Sequence, residues 1–310
     1  FYNLKSNTIS DHGATNKVRV TGDDFAAKFG KNQVVLSGAG GTSKDKNIEK
    51  KFFTINYKMK GSSYPSRSLQ VENVPRINED LLQTKPNHKK FSFLKIDMQN
   101  KLFEVKDGSW VISEPMILED GFGLLINSGT NIKTTGNGII ILRGQLLMFG
   151  EEDKPIRFEG LDNGHGILVL NSKKESILEN VVFQGLSERP SSVLNILGAI
   201  TFYNSPVKIS RTTFMDNNSE DALNIFRSKF TINDSSFINT SADALDADFS
   251  EGKIENSLFR NIGNDAIDIS GSKVSAINIQ VNGIGDKAIS AGEASQLIFK
   301  TVNIQDSNIG

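Results

Sequence analysis

The chain has no cysteine, which excludes disulfides, thiolate metal ligands and redox chemistry at sulfur. No apolar run approaches the roughly 20 residues needed to span a bilayer. Basic and acidic side chains, 35 and 36, nearly cancel to a formal net charge of -1, which argues against the concentrated basic surface that non-specific nucleic-acid binding needs. Only three histidines are present. No Ser-His-Asp arrangement, glycine-rich phosphate loop or zinc-ligand spacing is discernible, and no stretch between Phe158 and Gly310 carries a helix-period stripe. What remains is an ordinary globular composition, 37% hydrophobic and 23% charged over 310 residues, ample to bury a core.

The strongest positive signal is a repeat. Asp221-Ala-Leu-Asn224-Ile, Asp243-Ala-Leu-Asp246-Ala, Asp265-Ala-Ile-Asp268-Ile and Lys287-Ala-Ile-Ser290-Ala start 22 residues apart each time. Phe214, Phe237, Phe259 and Val281 keep nearly the same beat. A fixed period in the twenties marks a solenoid. Each repeat alternates apolar and polar residues at the strand period and is punctuated by Gly, Asn, Asp and Ser, the residues of turns. A leucine-rich repeat would need a leucine frame and a helical return segment, and neither is present. The spacing therefore predicts rungs of three short strands and three turns, stacked about 4.8 Å apart so that equivalent residues lie above one another.

The phrase Gly263-Asn-Asp-Ala-Ile-Asp-Ile-Ser-Gly-Ser272, following Phe259 in its Asn256-x-x-Phe setting, resembles right-handed parallel β-helix repeat proteins of the pectate-lyase-like superfamily. The resemblance covers roughly residues 100 to 310. It implies an all-β, right-handed single-stranded parallel β-helix of about nine rungs. It also implies a bacterial protein that is secreted, periplasmic or on the cell surface, binds a polysaccharide, and acts on it as a lyase, hydrolase or epimerase. Fold alone does not fix function. A non-catalytic structural or adhesion scaffold within a larger surface or secreted protein is the alternative. No enzyme family's motifs are matched: Gly164-His165-Gly166 is similar to the Gly-His-Gly of polygalacturonases but precedes the Asp region, and the companion motifs are missing.

Residues 1–88 lack the repeat and are expected to form a mixed, loop-rich cap or accessory region, with 89–310 as the β-helix. Within the first part, Thr21–Phe29 is expected to be a short helix, Val34–Leu36 and Phe52–Tyr57 strands, and Gly38–Ser43 a loop. Between Phe183 and Phe214 the gap is 31 residues, and the excess at Gly185–Ser192 reads as a polar loop extending from one rung. The chain begins with Phe1 instead of Met, as expected of a processed fragment. Asn278–Gly285 is echoed by Asn303–Gly310, so the chain stops in mid-rung and further repeats or a further domain are expected.

If Leu223, Ile225, Leu245, Ala247, Ile267 and Ile269 face inward, then Asn224, Asp246, Asp268 and Ser290 form one outward column, with Asp248 beneath Phe226. Asp246 and Asp268 would stand about 5 Å apart, a separation at which two carboxylates repel unless they hold a cation, share a proton or take a basic neighbour. Three readings stay open. One is a Ca²⁺ site of Asp246, Asp248 and Asp268, hard oxygen ligands. Another is a glycosidase pair, since about 5 Å is the retaining separation. The third is a solvated acidic face balanced by Lys253, Lys273 and Arg260. In an enzyme, Asp246, Asp268 and Lys273 are the catalytic candidates, and Asn224, Arg227, Asp248, Arg260 and Ser290 the substrate contacts. Asp221, Asp243 and Asp265 are expected to build turns by accepting backbone N–H groups two residues on. Lys287 is expected to compensate Asp265, and Asn180, Asp234, Asn256 and Asn278 to form a ladder at a turn.

Overall fold

The computed structural model describes residues 84–188 and 198–310, together with the backbone of five strands nearer the N-terminus. Those five, Lys17–Arg19, Val35–Ser37, Gly40–Asp45, Ile48–Tyr57 and Arg67–Asn73, pair antiparallel in one sheet. The two expected strands are found, Val35–Ser37 with its start shifted by one residue. The expected loop at Gly38–Ser43 is instead largely strand, because Gly40–Asp45 pairs along its whole length with Ile48–Phe53. The expected helix at Thr21–Phe29 lies outside the described residues. Contacts divide the chain into Phe1–Asn78 and Glu79–Gly310, so the second unit starts at residue 79 and not at the expected 89. Within it, Asn87 acts as a strand surrogate. Its side chain accepts from Ile117 N (2.8 Å) and donates to Pro115 O (2.7 Å), covering the edge of the first parallel strand.

The second unit is a parallel β-solenoid of about nine turns with about 23 residues per turn. Each turn lays down three strands, one on each of three faces. In one representative turn they are Val207–Ser210 on the first face, Thr213–Met215 on the second and Asp221–Phe226 on the third. The third face is an eight-stranded parallel sheet that runs from Pro115–Ile117 to Ile289–Gly292. In the last turns the first two faces are joined by single long strands, Glu251–Ile262, Lys273–Lys287 and Gln296–Ile309.

The corners explain the turn residues. At the first corner Asn180, Asp234, Asn256 and Asn278 all take positive φ, and at the second so do Asp216, Asn239 and Asn261. Asn and Asp tolerate this left-handed conformation better than other side chains with a Cβ. They also tie the turns together: Asn278 donates to Asn256 Oδ1 (2.8 Å), Asn261 to Asn239 Oδ1 (3.1 Å) and Asn239 to Asp216 Oδ1 (3.0 Å). The expected turn ladder is thus present, and a second one stands beside it. A serine ladder not anticipated from the sequence lines the third corner. The N–H groups of Ser205, Ser228 and Ser250 each donate to the hydroxyl of the serine one turn on, at 2.8, 3.1 and 2.8 Å. Each such hydroxyl donates in turn to the carbonyl two residues before it, as Ser228 does to Phe226. These bonds satisfy backbone groups that the bend removes from the sheet.

Inside, equivalent residues stack. Phe158, Phe183, Phe214, Phe237 and Phe259 are fully buried in register. Their ring centroids fall from 5.9 to 4.7 Å apart along the column, and the last three rings are nearly parallel. Stacked pairs of this kind add about 0.5–1.5 kcal/mol beyond area burial. The phenylalanine beat of the sequence is therefore a stacked column within the core of the solenoid.

Candidate functional site: the outward columns of the third face

The expected register holds on the third face. Leu223, Leu245 and Ile267 are buried, and between the inward residues Asn224 pairs with Asp246, Asp246 with Asp268, and Asp268 with Ser290. All four are half-buried. Asp248 lies in the neighbouring column directly after Phe226, as expected. Strand spacing of about 4.8 Å sets the separation of neighbours along each column.

Between Leu170 and Asp248 that neighbouring column carries an aromatic ladder that sequence reasoning missed. Tyr203 and Phe226 pair in register and stack with centroids 5.1 Å apart and planes 5° from parallel. Phe249, half-exposed at the following corner, meets Phe226 edge-on at 5.7 Å. The Arg227 guanidinium lies over both rings, 5.2 Å from Phe226 and 5.9 Å from Phe249. The signal was in the spacing, since Tyr203 and Phe226 are 23 residues apart, about one turn.

Electrostatics distinguish the carboxyls. Asn224 uses both amide hydrogens, one to Asp221 Oδ2 (2.9 Å) and one to Asp246 Oδ2 (3.0 Å). Burial pushes the Asp246 carboxyl up to about 9, with the charges of Asp221, Asp248 and Asp268 adding to it. Asp221, 2% exposed, is pushed up to about 8 by burial, and the Asn224 bond only partly opposes this. Asp248 and Asp243 are also raised, chiefly by burial. At neutral pH Asp246 and Asp221 therefore keep their protons.

Asp243 and Asp265 do not bond two residues on. Each accepts the N–H one turn above, from Asp265 (2.8 Å) and Lys287 (2.9 Å), because the stacked turn brings that group closer than the local corner does. Asp221 bonds Asn224 instead. Lys287 does compensate Asp265, with Nζ 3.2 Å from its carboxylate.

The basic residues named from sequence do not converge on the column. Arg260 is on the second face, paired with Ile238 and Asn282, and Lys253 is on the first, bonded to Glu255 at 2.8 Å. Lys273 lies past the third corner on the first face, paired with Glu251 and Gln296. Of the proposed basic substrate contacts only Arg227 borders the third face. The reason is geometric: residues close in sequence are carried round a corner onto another face. Among the described residues no three His, Cys, Asp or Glu side chains are grouped to hold a metal ion, so Asp246, Asp248 and Asp268 share a face without forming such a cluster. His165 is buried, with Nδ1 3.2 Å from Ser187 O.

No family model matches the chain, and no curated protein matches it. Among solved structures, the chain is similar to a mutant of the periplasmic alginate epimerase AlgG. The identity is 8%, with 71% of this chain and 81% of that chain covered. The TM-score is 0.19, too low for the likeness to carry a functional argument.

Proposed function

We propose that the third face binds a polysaccharide, with the Tyr203/Phe226 ladder as platform and the Asn224/Asp246/Asp268/Ser290 column contacting hydroxyls. The observation that supports this most is the side-by-side placement of the two columns. Aromatic faces accept the apolar C–H side of a sugar ring, and the adjacent carboxyl and hydroxyl groups supply hydrogen bonds to its rim. A repeat of about 4.8 Å lets successive turns address successive parts of a linear chain. No helix among the described residues is long and apolar enough to cross a membrane. Export from the cytoplasm belongs to the proposal.

Affinity electrophoresis of the full chain in gels cast with neutral and acidic polysaccharides tests this. Retardation by at least one polymer is expected, with loss of at least about tenfold in affinity in the Tyr203→Ala/Phe226→Ala variant. Unchanged retardation in that variant, or none in the wild type, would leave the scaffold reading in its place.

A second reading concerns catalysis, and the raised Asp246 carboxyl favours it. A carboxyl that keeps its proton at neutral pH beside Asp268 suits a general acid in glycoside hydrolysis. Release of reducing ends, abolished by Asp246→Asn, is its expected signature. Lyase or epimerase action would require a base, and the column offers Asp268. Calcium is a rival occupant of the same column. Calorimetry with CaCl₂ on wild type and on Asp246→Ala/Asp268→Ala decides, because saturable heat lost in the variant assigns the column to Ca²⁺ and its absence leaves the proton.

A further inference from the structure

Two grooves of about 410 and 350 Å³ lie along the third corner and share Asn171, Ser172 and Lys173, so that they run into one another. Six cations line them, Lys101, Arg143, Lys173, Lys174, Arg227 and Lys229, and no acidic side chain does. Arg143 pairs with Asp120 at 3.2 Å and Lys229 loosely with Glu251 at 3.9 Å. Lys101, Lys173, Lys174 and Arg227 have no carboxylate partner among the described residues. The loop carrying the lysine pair is held in place, since the Ser172 hydroxyl donates to Lys174 O (2.7 Å). The grooves cross six successive turns, a run of roughly 24 Å at the strand spacing, and four of those turns supply the six cations, two of them in pairs. The groove ends at Arg227, the same side chain that lies over Phe226 and Phe249.

We propose that this corner binds a linear anionic polysaccharide, a polymer with about one carboxylate per sugar, and leads it to the aromatic ladder. The proposal rests on the glycan reading of the third face and specifies the charge of the glycan. Cation density selects the partner. Duplex DNA presents a charge every ~1.7 Å, far denser than about one cation per turn. Single-stranded nucleic acid is bound by stacking its bases on aromatic rings, and no aromatic residue lines either groove. Lysine and arginine interleaved with Asn171, Ser172 and Asn204 instead fit carboxylates alternating with hydroxyls.

Binding isotherms of the full chain with polygalacturonate, with dextran as the neutral polymer and with single-stranded DNA, test the assignment. Both lysines are exposed, so Lys173→Glu/Lys174→Glu is expected to fold, which circular dichroism verifies. Its affinity for polygalacturonate is expected to fall about tenfold or more, with a shallower salt dependence. Polygalacturonate binding that survives the double charge reversal overturns the proposal. So does DNA binding that is tighter than polygalacturonate at equal salt and is lost in the same variant. Loss of polygalacturonate binding in the lysine variant, with Tyr203→Ala/Phe226→Ala unchanged towards every polymer, would keep the basic groove and remove the third-face reading.

Discussion

The outward column of the third face has two halves built on one backbone. In the early turns it reads Ile117, Ile141, Leu168, each no more than 1% exposed although they point away from the central core. From the next turn it reads Thr201, Asn224, Asp246, Asp268, Ser290, in the same parallel register. Strand spacing, pleat and inward neighbours are alike on both sides of the change. The fold therefore supplies a row of equivalent positions, and the side chains decide which stretch is closed to water and which can do chemistry. The carboxyls with raised affinity for a proton lie only in the later half.

The largest effect should come from moving a later residue into the early half. Leu168→Asp places a carboxyl among Ile117, Ile139, Ile141 and Leu170 with no described amide to play the role of Asn224. A loss of about 3–5 kcal/mol is expected, from the removed apolar contacts and the stranded polar group. Asp246→Asn, which keeps an acceptor for Asn224, is expected to cost under about 1 kcal/mol. Urea midpoints of the two variants give the contrast, and equal losses would erase the distinction between the halves.

A smaller effect follows from protons. Asp221 and Asp246 carry folded pKa values of about 8 and about 9, above the unfolded value near 3.9. A carboxyl raised in this way contributes stability that is complete below about pH 4 and is lost as pH climbs through the folded value. Thermal stability should therefore fall from about pH 4 to about pH 9, and Asp246→Asn should flatten the fall. An identical slope in wild type and variant would show that these carboxyls ionise without cost.

The division between halves also marks what was legible in the sequence. The 22-residue step revealed the later turns because Asp221, Asp243 and Asp265 repeat as letters. Alternation then placed Asn224, Asp246, Asp268 and Ser290 correctly, since the strand period fixes the face. The runs Ile139–Leu142 and Ile167–Leu170, four apolar residues each and buried on both sides, also carried information that went unread. Continuous apolar strands signal a sheet covered on both faces. The basic residues were misplaced for a different reason. Strand alternation says nothing about where a corner falls, and Lys273 sits only five residues after Asp268 yet on another face.

The smallest expected effect tests the border itself. Thr201 is the first polar residue after Leu168 in the column and is 3% exposed. Its hydroxyl reaches Gly198 O at 3.5 Å, the outer limit of a hydrogen bond. Thr201→Val would exchange that weak contact for a methyl group and extend the apolar column by one turn, with the β-branched shape unchanged. Stability should stay within about 0.5 kcal/mol of wild type, because a hydroxyl with no good partner loses little on removal. A loss above about 2 kcal/mol would mean that the threonine hydroxyl helps hold the polar half in place, and the border would then be a structural joint.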